Sequence, residues 1–550
     1  MFTAMKAFFL DLGTPMRRLL PAVGLVLALG ACHKFDSDAM TATLERTVSA
    51  KAAPRYAATR WNTMQAIYRE RSYAPIWLDR EKPRQQAKDL IDALTSADNQ
   101  GLRMKDYDLP GLRTALDQAY HQGKTTTQDL ANLDLRLTSL FLDYGRDLLV
   151  GRLDPSAVDS GWYIKARRAS VDSTLRLAIR AGDFRSMVRS LVPEQKEYAE
   201  LVSWLEKYRE LASHGGWQAV TARDTAALRT RLAATEDLGS GAALADGVRH
   251  FQARHGLEAT GKADAATVAE LNVPIGARIR ALELNLERLR WLPASFGERY
   301  VLVNIPDYSL HAYDAGKEVL TMRVVVGDEY GHATPVFADT LSQVVFQPYW
   351  NVPPSIVKAE ILPKVQQDPH YLEAHHYQVV RGDKEEVVSA SSVDWNDVDT
   401  TNMGFRVRQE PGDDNALGHV KFLFPNQFNI YMHDTPARSL FAKNARSESH
   451  GCIRLEHPDQ FADYVLAGDP AWTPDRIREA MESDTNRTVT VKRKLPVYIV
   501  YLTAFVRDGQ LQFRKDVYGS DDRAITRLGV PVADTVLDSA RTALRKLLKS

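Results

Sequence analysis

The segment YMHDTPARSLFAKNARSESHGCIRL, residues 431–455, constrains the fold and the chemistry of this chain together. It begins within an apolar and aromatic run, FNIYMHD, whose composition is typical of a β-strand. It ends around Cys452, one of 2 cysteines in 550 residues, with His450 and Arg454 close by. A thiol in a chain that otherwise avoids cysteine indicates either an inert buried side chain or a reactive one.

Short runs rich in Val, Tyr, Phe and Ile occur on both sides of this segment. They include RYVLVNIPDYSLHAY, VLTMRVVVG, LSQVVFQPYWNV and TVTVKRKLPVYIVYLTAFV, and their length and alternation predict strands. We therefore expect a mostly β domain over residues 298–515. An insert at about 353–405 is predicted as helix and loop, and it is either a lid over a site or a passive excursion.

The preceding part of the chain is predicted to be helical. Residues 60–216 place apolar side chains at spacings of three and four without any polar constellation, which favours a helical scaffold domain. Residues 217–275 predict a bundle of three short helices, and residues 276–297 predict a connector helix that ends at a proline. The expected fold class is a multidomain α+β protein.

The charge of the chain argues against one class of partner. Lys plus Arg and Asp plus Glu each number 70, so the formal net charge is zero. A nucleic-acid partner usually requires a basic excess, and none is expected here. The 44% hydrophobic and 25% charged residues are ordinary for globular domains, and the sequence does not identify a protein partner.

The first residues predict export. Two arginines precede an apolar run that ends in LGAC, so residues 1–32 are interpreted as a signal peptide with a lipobox and lipidation at Cys32. The alternative is an ordinary secretory cleavage after Gly30. Residues 33–59 are then a polar tether, and the protein is expected in the periplasm, anchored to the inner or the outer membrane by lipid.

The last residues suggest a second amphipathic element. Within the C-terminal segment 516–550, DTVLDSARTALRKLLKS predicts a basic amphipathic helix. It is expected to dock on the β domain, with contact to a membrane surface as the alternative.

The residues around Cys452 could supply the parts of a cysteine nucleophile. A free thiol is only slightly ionised at neutral pH, so it needs a base, and His433 and His450 are candidates. Gly451 permits a tight backbone turn that could present amide donors to an oxyanion. Arg454 could bind a substrate carboxylate through two hydrogen bonds.

Two other interpretations remain open on composition alone. Cys452 could be a small buried hydrophobe, which is its more common role. Alternatively, His433, His450, Cys452 and His457 could ligate zinc.

The pattern H-x15-S-H-G-C-I-R, from His433 to Arg454, resembles the signature of the L,D-transpeptidases with a YkuD-like catalytic domain. The stretches MRVVVGDEYGHATPVF, VVFQPYWNVPPSI and RQEPGDDNALGHVKFLFPN are similar to its large Gram-negative members. The stretch FQARHGLEATGKADAATVAELN also resembles a three-helix peptidoglycan-binding domain. In some proteins this domain acts only as a spacer. Large members often carry an N-terminal transmembrane helix, whereas this chain is predicted to be lipidated.

The resemblance implies roles for the motif residues. Cys452 is the expected nucleophile and His433 the general base and acid, oriented by the backbone carbonyl of Asp434 rather than by its carboxylate. His450 is expected to line the site and support the thiolate. The N–H groups of Gly451 and Cys452 are the expected oxyanion donors.

The resemblance also implies a substrate and a reaction. Arg454, Ser449, Tyr349 and Trp350 are expected to bind peptidoglycan stem peptides, without a metal or other cofactor. The expected reaction releases D-alanine from a tetrapeptide donor through a thioester and forms a 3→3 crosslink, and carbapenems are expected to acylate the thiol. The alternatives are a carboxypeptidase or hydrolase, a transferase of lipoproteins to peptidoglycan, or a non-catalytic wall-binding lipoprotein.

Overall fold

A computed structural model describes residues 37–529 apart from 52, 54, 80–82, 122–124, 166, 168–169 and 400–402. The predicted signal peptide, the lipidation site at Cys32 and the helix predicted over 534–550 lie outside the described residues. The chain divides into two compact units. One comprises residues up to Lys88 together with Leu109–Ser139, and the other comprises Asp89–Asp108 and the residues from Leu140 onward.

Helices dominate the chain before residue 292. The α-helices are α1 Ser37–Val48, α2 Ala58–Glu70, α3 Gln85–Thr95, α4 Leu109–His121, α5 Thr127–Val150, α6 Pro155–Val158, α7 Val171–Ala181, α8 Phe184–Arg189, α9 Lys196–Ser213, α10 Thr225–Ala234, α11 Leu244–Arg254, α12 Ala265–Leu271, α13 Ile275–Trp291, α14 Pro354–Ile356, α15 Leu362–Gln367, α16 Tyr371–Ala374, α17 Pro458–Leu466, α18 Pro474–Glu482 and α19 Ser520–Leu528. None of the helices in the described ranges is both long and apolar enough to cross a membrane.

Helix α1 corrects the predicted tether over residues 33–59. Its side chains Met40, Leu44 and Val48 are fully or almost fully buried. They recur at a spacing of four, so one face of a short polar segment still buries an apolar stripe. The segment is therefore part of the folded protein from residue 37 to residue 48, where the prediction expected a polar tether.

The three helices predicted over residues 217–275 are α10, α11 and α12. Phe251 is completely buried in their shared core, together with Leu228, Leu232 and Leu271. The bundle also contacts the β-rich part of the chain, because the Arg254 guanidinium donates to the backbone carbonyl of Leu511.

Helix α13 is more than the predicted connector. It packs mainly against α9, and its second half is buried almost all round. Arg288 and Arg290 are among the largest fully buried side chains, and each has an acidic partner: Nη1 of Arg288 lies 2.6 Å from Asp521 and Nη1 of Arg290 lies 3.2 Å from Glu287. Buried guanidinium groups require such partners, so α13 forms a central part of the core.

Strands dominate the chain after residue 299. The strands are β1 Tyr300–Asn304, β2 Ser309–Asp314, β3 Lys317–Gly327, β4 Phe337–Phe346, β5 Trp350–Asn351, β6 Tyr377–Arg381, β7 Glu386–Val388, β8 Arg406–Gln409, β9 Val420–Leu423, β10 Met432–His433, β11 Ser447–Ser449, β12 Ile453–Leu455, β13 Arg487–Val500, β14 Ala504–Arg507 and β15 Gln510–Phe513.

The main sheet has the order β11-β3-β12-β10-β9-β4-β13-β1-β2, and β2 also pairs with β3. This second pairing closes the sheet on itself, which removes free edges that could pair with another chain. The strands bury apolar side chains in the interior, among them Val324, Val344, Phe422 and Val497. The prediction of a multidomain protein with a helical part and a β-rich domain is confirmed.

The insert contains the predicted helices and, in addition, a small sheet that the sequence analysis missed. Strands β5, β8, β6 and β7 form this sheet in that order. Its own apolar core includes Ile356, Val379, Trp395 and Val407. A turn of π-helix at Val357–Ile361 lies between α14 and α15. The insert is thus a small folded layer with its own core.

Candidate active site

Strand pairing brings the motif residues to one place on the sheet. Strand β10 lies parallel to β12 and antiparallel to β9. In this register His433 is opposite Arg454 on one side and Lys421 on the other. Neighbouring strands lie about 4.8 Å apart, and residues in register point to the same face. Three cationic or basic side chains therefore form one row across three strands.

Cys452 lies just before β12 and belongs to the same face. Its side chain is half-buried, and its sulfur lies 3.8 Å from the carbonyl oxygen of Asn429. Burial raises the pKa of the Cys452 thiol to about 11, although hydrogen bonds from Tyr431 and the charges of Arg454 and Lys421 act in the opposite direction. The resting side chain is therefore a protonated thiol at neutral pH.

His433 is buried at the end of β10. Its Nδ1 lies 2.5 Å from the carbonyl oxygen of Asp434, which is the contact that the resemblance implied. Since a carbonyl only accepts hydrogen bonds, Nδ1 carries the proton and Nε2 keeps a free lone pair. Burial, and then the positive charge of Arg454, lowers the pKa of His433 to about 3, so the ring is neutral in the resting state.

The carboxylate of Asp434 has a separate function from its carbonyl. It accepts a hydrogen bond of 3.0 Å from the backbone N–H of His419 and lies 3.2 Å from Nη1 of Arg438. These contacts fix the loop that follows β10, and they turn the side chain away from the imidazole contact made by the main chain.

Gly451 adopts a φ of +106°, a conformation that side chains other than glycine rarely adopt. Its N–H donates to Oγ of Ser449 at 3.1 Å, and its carbonyl accepts from the Thr334 hydroxyl at 2.7 Å. In the resting site the turn uses this N–H, so its expected function as an oxyanion donor stays a prediction. The N–H of Cys452 makes no hydrogen bond to other described residues.

Ser449 is also committed to this turn. Its hydroxyl donates to the carbonyl of Cys452 at 2.6 Å while it accepts from Gly451. The side chain is buried, so it shapes the loop that carries the thiol. The expected direct contact with substrate is not available to it in this arrangement.

His450 faces the insert. Its Nε2 lies 2.9 Å from Oε1 of Glu360, which belongs to the π-helical turn. Its ring also packs edge-on against His332 with the centroids 4.5 Å apart. The insert therefore contacts the residue two positions before the thiol, and the expected support of the thiolate by His450 is not visible in the resting contacts.

The two predicted aromatic residues separate. The Trp350 side chain lies close enough to the Tyr431 hydroxyl to lower the pKa of Tyr431, which places Trp350 beside the site. The Arg408 guanidinium lies 4.3 Å from the centroid of the Tyr349 ring. Only the main-chain carbonyl of Tyr349 reaches the site, where it accepts a hydrogen bond of 3.4 Å from Lys421. Trp350 thus lines the site, whereas the Tyr349 side chain faces the insert.

Tyr431 and Lys421 are site residues that the sequence analysis missed. Tyr431 lies beside the thiol, and interactions with its amide and hydroxyl lower the pKa of Cys452. Tyr431 stands just before β10, two positions before His433, so alternation along an extended chain could have placed both on the same face. Lys421 had no such signal, because its position depends on the register between β9 and β10.

The zinc interpretation requires His433, His450, Cys452 and His457 to converge on one point. Within the described ranges, no group of three or more His, Cys, Asp or Glu side chains is arranged to hold a metal ion. His450 is instead engaged by Glu360.

A family model described as "L,D-transpeptidase catalytic domain" matches residues 298–473, which include every site residue named above. This part of the chain is similar to an L,D-transpeptidase catalytic domain. A model for a scaffold domain matches residues 62–205, and one for a "Putative peptidoglycan binding domain" matches residues 228–271. The resemblance drawn from the sequence is thereby confirmed for all three domains.

A relative from Haemophilus influenzae (strain ATCC 51907 / DSM 11121 / KW20 / Rd), named "Putative L,D-transpeptidase", is 37% identical over 240 residues. The match covers 44% of this chain and 48% of the relative, so it spans about half the length of that protein. A crystal structure of the L,D-transpeptidase (residues 123–326) from Xylanimonas cellulosilytica DSM 15894 is 13% identical. It covers 52% of this chain and 96% of its own, with a TM-score of 0.17.

Proposed function

We propose that this protein is a peptidoglycan L,D-transpeptidase that forms 3→3 crosslinks through a thioester on Cys452. The observation that carries the proposal is the placement of a neutral imidazole, fixed by a main-chain carbonyl, on the strand parallel to the one that begins at the thiol. This arrangement lies within residues 298–473, which match the L,D-transpeptidase catalytic domain.

Acylation begins from two uncharged groups. The free Nε2 of His433 accepts the thiol proton as the sulfur attacks the carbonyl of the third stem residue, a diamino acid. The C–S bond forms and the carbonyl oxygen becomes an oxyanion, for which the unengaged N–H of Cys452 is the available donor. Collapse breaks the C–N bond, and His433 returns the proton to the amine of the departing D-alanine.

The second half-reaction uses the same residues in the reverse direction. An amine of a second stem attacks the thioester, His433 accepts its proton, and the C–S bond breaks to give the crosslink and the free thiol. Water is the competing nucleophile, and its exclusion separates transfer from hydrolysis. The contact between Glu360 and His450 supports a role for the insert as the lid that limits this access.

The location and anchoring of the protein remain our proposal from the sequence. A signal peptide with lipidation at Cys32 would hold the catalytic domain in the periplasm, where peptidoglycan is found. Metabolic labelling with a fatty acid tests it, since a Cys32→Ser variant of the full chain should lose the label. Retention of the label in this variant would contradict lipidation at Cys32.

The product spectrum on purified disaccharide-tetrapeptide tests the reaction. We expect a crosslinked dimer and free D-alanine, both resolved by mass, with no products from a Cys452→Ala variant. A tripeptide without any dimer would indicate a hydrolase, and no change in the substrate would indicate a non-catalytic wall protein. Either of these two results would overturn the proposed transpeptidation.

A further inference from the structure

Two cations next to the thiol, Lys421 and Arg454, form no salt bridge with any described residue, although the charges of Glu448 and Glu360 act on Arg454 from a greater distance. The ammonium of Lys421 lies 3.4 Å from the carbonyl oxygen of Tyr349 and 5.9 Å from the centroid of the Tyr431 ring. The Nε of Arg454 is buried and makes no hydrogen bond to the part of the chain that the structure describes. Among the described residues, no carboxylate lies within salt-bridge distance of either side chain.

Buried cations elsewhere in the described chain have two kinds of partner. Arg254 and Arg288 are paired with a carboxylate at 2.7 Å and 2.6 Å, whereas Arg231 and Arg446 donate to main-chain carbonyls. A desolvated cation without an anion is costly, and its cost is offset when an anion binds. Two such cations next to the same thiol therefore indicate a ligand that supplies the negative charge.

The strand register places these cations around the reacting groups. Lys421 and Arg454 stand on either side of His433 in a row across β9, β10 and β12. Both charges also act on the thiol of Cys452. A ligand anion held by them would lie within the site, beside the atoms that react.

We propose that Lys421, together with Arg454, is a specificity-determining residue that binds a free carboxylate of the donor stem next to the scissile bond. This inference rests on the proposed function and deepens it. The carboxylate comes either from the terminal D-alanine or from the side chain of the diamino acid. In both cases Lys421 makes the enzyme select an anionic donor.

A pair of thiol reagents tests this without any transpeptidation. Cys452 in the full chain is alkylated with anionic iodoacetate and with neutral iodoacetamide, and the rate ratio is compared with that of the urea-unfolded chain. We expect the ratio to exceed the unfolded value and to fall about 10-fold in Lys421→Met, because a charged hydrogen bond is lost. Any change in the reactivity of the thiol itself affects both reagents and cancels in the ratio.

Matched variants exclude a general charge effect. Lys421→Arg should retain the preference for iodoacetate. Lys492→Met removes the same charge from an exposed side chain on β13 and should leave the ratio unchanged. If the folded wild type shows no preference for iodoacetate, or if Lys421→Met retains the preference in full, the proposal is overturned, and the wild-type arm does not depend on the folding of any variant.

Substrate analogues then identify the carboxylate. Tetrapeptide stems with a free terminus, with a C-terminal amide, and with a diamino acid that lacks a side-chain carboxylate are compared by kcat/KM. The analogue that lacks the recognised carboxylate should lose about 10-fold in wild type, and this loss should disappear in Lys421→Met. Losses that are equal in wild type and Lys421→Met would overturn the proposal. Absence of turnover on every stem would instead reject the proposed function, whereas the alkylation ratio would still decide the role of Lys421.

Discussion

Two polar clusters, one in the closed sheet and one beside it, differ in how completely their charges are paired. In the first, Lys421 and Arg454 flank His433 and Cys452 without a salt bridge in the described structure. The second surrounds Asp307, whose carboxylate lies 2.5 Å from Nε of Arg514 and also contacts Arg507. Ser309 and His311, which lie on β2, are buried beside Asp307.

The second cluster even resembles a catalytic triad. Nε2 of His311 lies 3.0 Å from the Ser309 hydroxyl, and its Nδ1 lies 2.8 Å from the Glu318 carboxylate. The Ser309 hydroxyl, however, donates to Asp307, and the Arg507 guanidinium contacts Nε2 of His311 at 2.8 Å. Every group is satisfied, so nothing is left to bind a ligand. A polar cluster with unmet charge is the better indicator of chemistry.

The largest difference in activity is expected between a variant of Cys452 in the first cluster and a variant of Ser309 in the second. Cys452→Ala is expected to lower the crosslinking rate by about 1,000-fold or more and to abolish carbapenem addition seen by intact mass. Ser309→Ala is the matched control, and its crosslinking rate should be unchanged. A carbapenem adduct on Cys452→Ala, or loss of activity in a folded Ser309→Ala, would break the comparison.

Removing the central anion of the paired cluster should affect stability. Asp307→Asn leaves two arginines without their buried partner and is expected to lower the free energy of unfolding by about 3 kcal/mol. The rate at temperatures well below unfolding should stay close to wild type. Urea unfolding measures the first quantity, and an unfolding midpoint equal to that of wild type would show that the network is not structural.

The two histidines should respond to pH in opposite directions. Burial lowers the pKa of His433 to about 3, so the unfolded state takes up a proton below pH ~6.5 that the folded state refuses, and wild type loses stability as the pH falls. Burial also lowers the pKa of His311, but hydrogen bonds to Asp307 and Glu318 outweigh it and raise the pKa. Its contribution is therefore complete below pH ~6.5 and is lost as the pH rises through the folded pKa.

Urea unfolding of two variants at pH 7 and pH 5 measures this difference. Relative to wild type, His433→Gln should gain about 2 kcal/mol as the pH falls from 7 to 5. His311→Gln should lose stability relative to wild type over the same change. Shifts of the same sign in both variants would contradict the assignment of opposite environments.

The smallest effect is expected at the contact between the site and the insert. Glu360→Gln removes the charge that pairs with His450 and should raise the ratio of hydrolysis to crosslinking about 2-fold, since the lid admits more water. Glu373→Gln changes an exposed side chain of the insert and serves as the control. An unchanged product ratio in Glu360→Gln would favour a passive insert.

Much of the architecture could be predicted from local sequence pattern. Apolar periodicity located α10, α11 and α12, and short Val-rich and Tyr-rich runs located the strands of the main sheet. Strands β6 and β7 of the insert, and β8 just after it, were missed because they are short and because they depend on contacts with each other and with α14. Helix α1 was predicted as a tether because only one of its faces is apolar.

The site shows the same limit. The motif predicted Cys452 and His433 as site residues, and strand alternation could have identified Tyr431 as a third. Lys421 becomes a neighbour only through the β9–β10 register, and the contact between Glu360 and His450 only through the fold of the insert. The use of the Gly451 N–H inside its own turn likewise depends on a backbone conformation that residue types do not specify.

The group that holds the His433 ring is part of the peptide backbone. A carbonyl oxygen does not titrate in the physiological range, so acidity cannot switch off the bond to Nδ1 as it could with a carboxylate. Nor can a change of side chain at position 434 delete the acceptor, although it can disturb the loop through His419 and Arg438. The choice of tautomer in this protein is thus protected both from pH and from point mutation.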